Sequence, residues 1–130
     1  MPFVEGLGAE KVVDVDVDRF DAVERAYDVV LDTVGGSTLE RSYAVLRPGG
    51  RLVTLQAPPP AELAAQHEVT GIFFIVSPDR KQLIHLAHLV DGEGLRVTLA
   101  ATFPLAQGRA AYESGAGPGR RPGKTVLEVS

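Results

Sequence analysis

The 130-residue chain contains no cysteine. That absence excludes disulfide staples, thiolate-ligated zinc and a cysteine nucleophile, and it is compatible with a reducing, cytoplasmic home. Long apolar runs are missing too. The longest, Gly71-Ile72-Phe73-Phe74-Ile75-Val76, falls far short of the ~20 residues a bilayer crossing needs. The opening Met1-Pro2-Phe3-Val4-Glu5 has no basic region leading into an apolar one, so no targeting segment is visible. Basic residues cluster only at Gly119-Arg120-Arg121-Pro122-Gly123-Lys124, which reads as a solvated loop rich in glycine and proline. With 13 Lys and Arg against 17 Asp and Glu, the net charge of −4 argues against a nucleic-acid partner.

The composition itself is that of a soluble globular chain, with 45% hydrophobic residues and a mean hydropathy of +0.06. For 13.8 kDa, surface scaling gives roughly 6,600 Å² folded against roughly 20,000 Å² unfolded, so about two thirds of the surface can be buried around a single core.

Short β-branched runs alternate with amphipathic stretches, the pattern of α/β units rather than of a sandwich. Strands are predicted at Lys11–Val15, Tyr27–Val34, Arg51–Gln56, Val69–Val76, about Val97–Thr102 and Thr125–Val129. The near-continuous apolar centre of Tyr27–Val34 suggests burial on both faces, as parallel strands require. A polar helical stretch is expected from about Asp18 to Ala26. Ser37-Thr38-Leu39-Glu40 has the spacing of a capping box, predicting a helix whose buried stripe is Leu39, Tyr43 and Leu46 and which stops at Arg47-Pro48-Gly49-Gly50. Pro58-Pro59-Pro60 opens a loop running through Ala61–Gln66. Ser77-Pro78 caps a helix from about Asp79 to Asp91, with Leu83, Leu86, Ala87 and Val90 on one face and His85 and His88 opposite. A short helix is expected after Pro104 and a glycine-rich turn over Gly115–Gly123.

Few residues suggest chemistry directly. His85 and His88 could share a metal only with a third ligand that no nearby carboxylate supplies, and they read as surface histidines. Asp14, Asp16 and Asp18 alternate along an extended segment but lack the glycine turn and terminal glutamate of a calcium loop. Neither Gly-x-Ser-x-Gly nor Gly-x-x-x-x-Gly-Lys occurs, and Ser37 and Ser42 read as a cap and a helix surface. The remaining signal lies at two strand ends, Asp32-Thr33-Val34-Gly35-Gly36 and Leu55-Gln56-Ala57, which would expose backbone amides and small side chains where an open parallel sheet binds ligands.

Three segments in combination, Leu7-Gly8-Ala9-Glu10-Lys11-Val12-Val13-Asp14, Tyr27-Asp28-Val29-Val30-Leu31-Asp32-Thr33-Val34-Gly35-Gly36 and Leu46-Arg47-Pro48-Gly49-Gly50-Arg51-Leu52-Val53, resemble the medium-chain dehydrogenase/reductase superfamily. The similarity is greatest to its quinone oxidoreductase-like, NADP-dependent branch of zinc-binding dehydrogenases. Phe103-Pro104-Leu105, Ala110–Gly115 and Gly123-Lys124-Thr125-Val126-Leu127 follow that branch's C-terminal pattern. The resemblance covers the C-terminal portion of the family's chain. It implies an α/β fold: a partial Rossmann-type, mostly parallel sheet with flanking helices, lacking the first strands and the glycine-rich loop. Residues 1–92 would be a partial nucleotide-binding region and residues 93–130 the segment that completes the catalytic domain in full-length relatives.

By this resemblance Thr33, Val34 and Gly35 lie along the dinucleotide, Leu55, Gln56 and Ala57 near the nicotinamide ribose, and Phe73, Phe74 and Ile75 beside the carboxamide. The implied cofactor is NADP, with affinity weakened or lost without the glycine-rich loop. No zinc is expected, because the family's zinc ligands lie mainly upstream of what matches here. The implied activity is hydride transfer between the nicotinamide and a small carbonyl compound or quinone, with no residue of this chain named as acid, base or metal ligand. The alternatives are a non-catalytic binding or oligomerisation module, forming a homodimer through the 72–76 strand edge, and a truncated copy or gene fragment. In the family's strand order, absence of the first two strands leaves a gap of roughly 10–14 Å beside Tyr27–Val34. The Lys11–Val15 strand is therefore expected either to pair with Tyr27–Val34 or to be held loosely, with partner chains over exposed edges.

Overall fold

A computed structural model describes residues 2–92, 94–115 and 121–129, which fall into two compact units, Met1–Ser77 and Pro78–Ser130. The fold is α/β with parallel sheets and flanking helices, as anticipated.

In the first unit, β1 (Tyr27–Asp32), β2 (Leu46–Thr54) and β3 (Thr70–Phe73) form a parallel sheet in that order. Helix α1 is a single turn at Pro2–Glu5; α2 (Gly36–Ser42) joins β1 to β2, and α3 (Ala61–Gln66) joins β2 to β3. Two successive right-handed crossovers winding in one direction place both helices on one face of a sheet. The register decides which residues they cover: Val30, Leu52 and Gly71 lie side by side, and Leu31, Val53 and Ile72 form the adjacent row, pointing to the other face. Leu52 is buried with Leu39, Tyr43, Leu46 and Val69, against which Val30, Leu63 and Ala64 pack. Leu39, Tyr43 and Leu46 are all in the core as expected, but not as one helical stripe: α2 ends at Ser42, Tyr43 caps it and Leu46 opens β2, so the helix stops well before Arg47-Pro48.

Several boundaries differ from expectation, each for a local reason. Arg47-Pro48-Gly49-Gly50 does not lie outside the strand but forms a bulge within β2, between the pairs Tyr27 with Leu46 and Val29 with Arg51. Gly49 there has φ +79, and a Cβ on Gly50 would stand 2.8 Å from the Arg47 carbonyl oxygen. Helix α2 starts after Gly35 (φ +79), and no side chain caps it, so Ser37 lies inside the helix and the capping box is not formed. Ala61–Gln66, read as loop, is α3: Pro60 precedes a run of good helix formers. Strand β3 stops at Phe73 because β2 stops at Thr54, with the Phe74 amide making a last bond to the Thr54 carbonyl at 2.9 Å.

The segment before β1 departs most. Lys11–Val15 forms no strand, and Asp18–Ala26 contains only a 3₁₀ turn at Phe20–Ala22. Instead Asp14 folds the chain locally, its carbonyl accepting from the Val17 and Asp18 amides and its carboxylate from the Asp16 amide. The segment is held by side chains. Asp21 accepts from Arg19 (2.7 Å) and Arg41 (3.3 Å), and the Arg41 guanidinium lies 5.0 Å from the Phe20 ring centroid. The Arg19 hydrogen bond holds the Asp21 carboxyl down at about 2. Of the two arrangements foreseen for Lys11–Val15, direct pairing with β1 is not the one formed. A groove of about 340 Å³ remains beside β1, lined by Val13, Phe20, Val29 and Leu31 among others.

In the second unit, β4 (Leu99–Pro104) and β5 (Lys124–Glu128) pair in parallel, and a 3₁₀ turn (Leu105–Gln107) leads into α5 (Gly108–Ser114). Helix α4 (Arg80–Gly92) is capped by Asp79, whose carboxylate accepts from the Gln82 amide at 2.8 Å, rather than by Ser77. The expected glycine-rich turn over Gly115–Gly123 and the basic run from Gly119 fall largely on residues 116–120, outside the described residues.

Candidate functional site at the strand ends

A parallel sheet presents all its carboxyl ends at one edge, and here three such ends lie in the order β1, β2, β3. Thr33, Val34 and Gly35 follow β1; Leu55, Gln56 and Ala57 follow β2; Phe73 ends β3, with Phe74 and Ile75 just beyond it. The nine residues singled out from the sequence therefore share one edge, though they do not all touch. Gln56 Nε2 donates to the Thr33 carbonyl at 2.9 Å, and a Cβ on Gly35 would stand 2.9 Å from the Gln56 Cβ. Val34 and Ile75 are 70% and 71% exposed.

Two residues hold these ends together: Asp32, which opens one of the strand-end segments but was given no role of its own from the sequence, and Thr54, which sequence reasoning passed over. They are partners in the last paired rung of β1 and β2, and both are buried. Asp32 Oδ1 accepts from the Val34 amide (3.1 Å) and the Gly35 amide (3.0 Å), while Oδ2 accepts from Thr54 Oγ1 at 2.8 Å. Thr54 Oγ1 in turn accepts from the Gln56 amide at 3.2 Å, and the Asp32 carbonyl accepts from the Leu55 amide at 3.0 Å. Burial pushes the Asp32 carboxyl up, but donation from the Gly35 amide, the Thr54 hydroxyl and the Val34 amide outweighs it, and the group stays below the usual carboxylate range. The available signal was a carboxylate closing an apolar strand two and three residues before amides at a glycine turn, the spacing of an Asx turn.

This network corrects one expectation. The strand ends were to expose backbone amides, yet those of Val34, Gly35, Leu55 and Gln56 all donate within the protein. With a buried carboxylate beneath them, these four positions suit an uncharged group such as a sugar or a carboxamide better than a phosphate.

The residues do not fit zinc either. The chain has no cysteine, and among the described residues no three His, Asp or Glu side chains gather where they could hold a metal ion. No described helix is long and apolar enough to cross a membrane.

A three-stranded parallel sheet with helices on one face defines the class: a Rossmann-like α/β fold. The family model described as zinc-binding dehydrogenase matches residues 7–127, and the chain belongs to that family, within the medium-chain dehydrogenase/reductase superfamily. A curated relative, the probable zinc-binding oxidoreductase, mitochondrial, of Arthroderma benhamiae, is 29% identical over 135 aligned residues, covering 98% of this chain. The chain spans 40% of that relative's length. Among solved structures, the quinone oxidoreductase from Coxiella burnetii matches 99% of this chain and 42% of its own, at 27% identity and a TM-score of 0.81. A protein described as an NADPH:quinone reductase from Bacillus thuringiensis shares the fold, with a TM-score of 0.75 at 24% identity over 99% of this chain and 45% of its own.

Proposed function

We propose that this chain supplies the later nucleotide-binding strands of an NADP-dependent oxidoreductase, which transfers hydride between a nicotinamide and a quinone, an enone or another small carbonyl compound or alcohol. The observation that carries this reading is the strand-end edge: Thr33–Gly35 and Leu55–Ala57 are fixed against each other by Asp32, Thr54 and Gln56 at the place where a parallel sheet binds its ligand. Thr33, Val34 and Gly35 lie along the dinucleotide, Leu55, Gln56 and Ala57 receive the nicotinamide ribose, and Phe73, Phe74 and Ile75 face the carboxamide. The amides of Val34, Gly35, Leu55 and Gln56 are engaged within the protein and so contribute nothing to gripping the phosphates. Affinity for NADP in this chain alone is accordingly weak. Residues 93–130 belong with the catalytic domain of full-length relatives, and a chain without cysteine suits a cytoplasmic setting.

Titrating the 130-residue chain with NADPH while following the nicotinamide fluorescence tests the reading. Saturable binding in the micromolar to low millimolar range is the expected result; no binding up to several millimolar overturns it.

A second reading is favoured by the exposure of Ile72, Phe73, Phe74, Ile75 and Val76 on and after the edge strand β3. In it the chain is a non-catalytic module that pairs with itself through the 72–76 edge, adding parallel or antiparallel backbone bonds to the sheet. Sedimentation equilibrium separates the two: a dimer that fails to bind NADPH supports the module, and a monomer that binds it supports the oxidoreductase.

A further inference from the structure

We infer that Asp32 is a positioning residue of the strand-end edge: its carboxylate orders the Thr33–Gly35 turn against Leu55–Gln56, and it thereby sets how well this edge receives the uncharged part of a dinucleotide. The inference rests on the ligand reading above and adds to it a residue that touches no ligand. The geometry is a closed circuit. From Asp32, one oxygen takes the Val34 and Gly35 amides and the other takes the Thr54 hydroxyl. From Thr54, the circuit passes to the Gln56 amide, and from the Gln56 side chain back to the Thr33 carbonyl. Each member is thus held from two directions, and the turn after β1 cannot shift without disturbing the one after β2.

Packing makes the carboxylate hard to replace. Gly35 has φ +79 and sits against Gln56 so closely that a Cβ would meet the Gln56 Cβ at 2.9 Å. Gly35, at φ 79 and ψ −166, adopts a conformation open essentially to glycine alone, and the missing Cβ is also what lets the turn pack directly on Gln56. Thr54 is fully buried and Asp32 nearly so, which leaves the donors few routes to water if the acceptor is removed.

Substitutions at Asp32 separate positioning from bulk structure. In Asp32→Ala the Val34 and Gly35 amides lose their acceptor, and their hydrogen exchange accelerates about tenfold or more, while the amides of Leu52 and Tyr43 keep their protection. The apparent Kd for NADPH rises by about tenfold as the ordered turn becomes the minor form. Asp32→Asn, whose Oδ1 still accepts both amides, restores slow exchange and most of the binding. Unchanged exchange at Val34 and Gly35 overturns the clamp. Faster exchange with unchanged NADPH affinity overturns the positioning role and leaves Asp32 purely structural. If the wild-type chain binds no NADPH, the ligand reading fails, and the positioning role with it, whereas exchange still decides whether the clamp exists. Should Asp32→Ala not fold, an acid titration of the wild-type chain by NMR gives the same decision: the Asp32 carboxyl carbon and the Val34 and Gly35 amides shift with one shared midpoint, and independent midpoints overturn the inference.

Discussion

Both faces of the β1–β2–β3 sheet carry apolar residues, and these have opposite fates. On one, Val30 and Leu52 lie beneath α2 and α3 and join Leu39, Tyr43, Leu46 and Val69 in a closed core. On the other, Val29 is 50% and Leu31 63% exposed, and Ile72 is 39% exposed. Hydrophobic patterning along a strand records that both faces want cover, and it says nothing about which part of the chain provides it. Crossovers in one direction can cover only one face, and the segment before β1 folds into turns instead of a strand or helix that would cover the other. Val13 and Phe20 reach the groove beside β1 without filling it.

The largest effect that tests this contrast comes from one pair of truncations. Leu52→Ala, on the covered face, should lower stability by about 2–5 kcal/mol, through lost burial and the cavity left behind. Leu31→Ala removes the same atoms from the bare face and should cost within about 0.5 kcal/mol. Urea unfolding of both variants measures the difference. Equal losses would show that the bare face is covered in solution.

A smaller effect is expected at Gly71, which shares a row with Val30 and Leu52. A Cβ there would stand 2.8 Å from Pro59 Cγ and 3.5 Å from the Tyr43 hydroxyl oxygen, so Gly71→Ala overpacks the covered face and should cost about 1–3 kcal/mol. A cost near zero would mean that α3 and its proline lead-in sit loosely on the sheet.

These residues also show how far the sequence was legible. The burial of Leu39, Tyr43 and Leu46 could be anticipated because apolar residues at helical spacing are a local signal, although the helix ends at Ser42, before the proline-glycine pair, and Leu46 belongs to β2. The gathering of Thr33–Gly35, Leu55–Ala57 and Phe73–Ile75 at one edge followed from parallel strands in sequence order. What could not be read was set by partners distant in the chain. The Asp32 to Thr54 bond spans 22 positions, and α2 takes Gly35 as its cap because Asp32 fixes the turn before it. Lys11–Val15 has the composition of a strand, yet a strand exists only when a neighbour completes its ladder. The Arg47–Gly50 bulge escaped notice because its turn residues are the same ones that end helices.

Acid offers a third probe, acting at the covered edge of the sheet rather than at its centre. The Asp32 carboxyl is held below its unfolded value, so its contribution to stability is complete above the ordinary carboxylate range near pH 4 and disappears as pH falls through the folded-state value. Unfolding free energy measured between pH 6 and pH 2 should therefore fall less steeply in Asp32→Asn than in the wild-type chain. Identical slopes would place the carboxylate in water rather than in the Val34, Gly35 and Thr54 network.

The smallest effect should carry the opposite sign. Tyr43 is fully buried at the centre of the covered face, 5.9 Å from the His67 ring, and its hydroxyl is buried without a hydrogen-bond partner among the described residues. Burial also pushes its phenol above the ordinary value, as for a group removed from water with nothing to stabilise its charged form. Leaving a buried hydroxyl unpaired costs about 1–3 kcal/mol, whereas the ring around it contributes ordinary core packing. Tyr43→Phe keeps the ring and removes the orphaned oxygen, so it should raise stability by up to about 1 kcal/mol. Calorimetry would then show a higher Tm with unchanged cooperativity. A loss of stability instead would mean that the hydroxyl meets an ordered water between α2 and β3, and the covered face would be wetter than its side chains indicate.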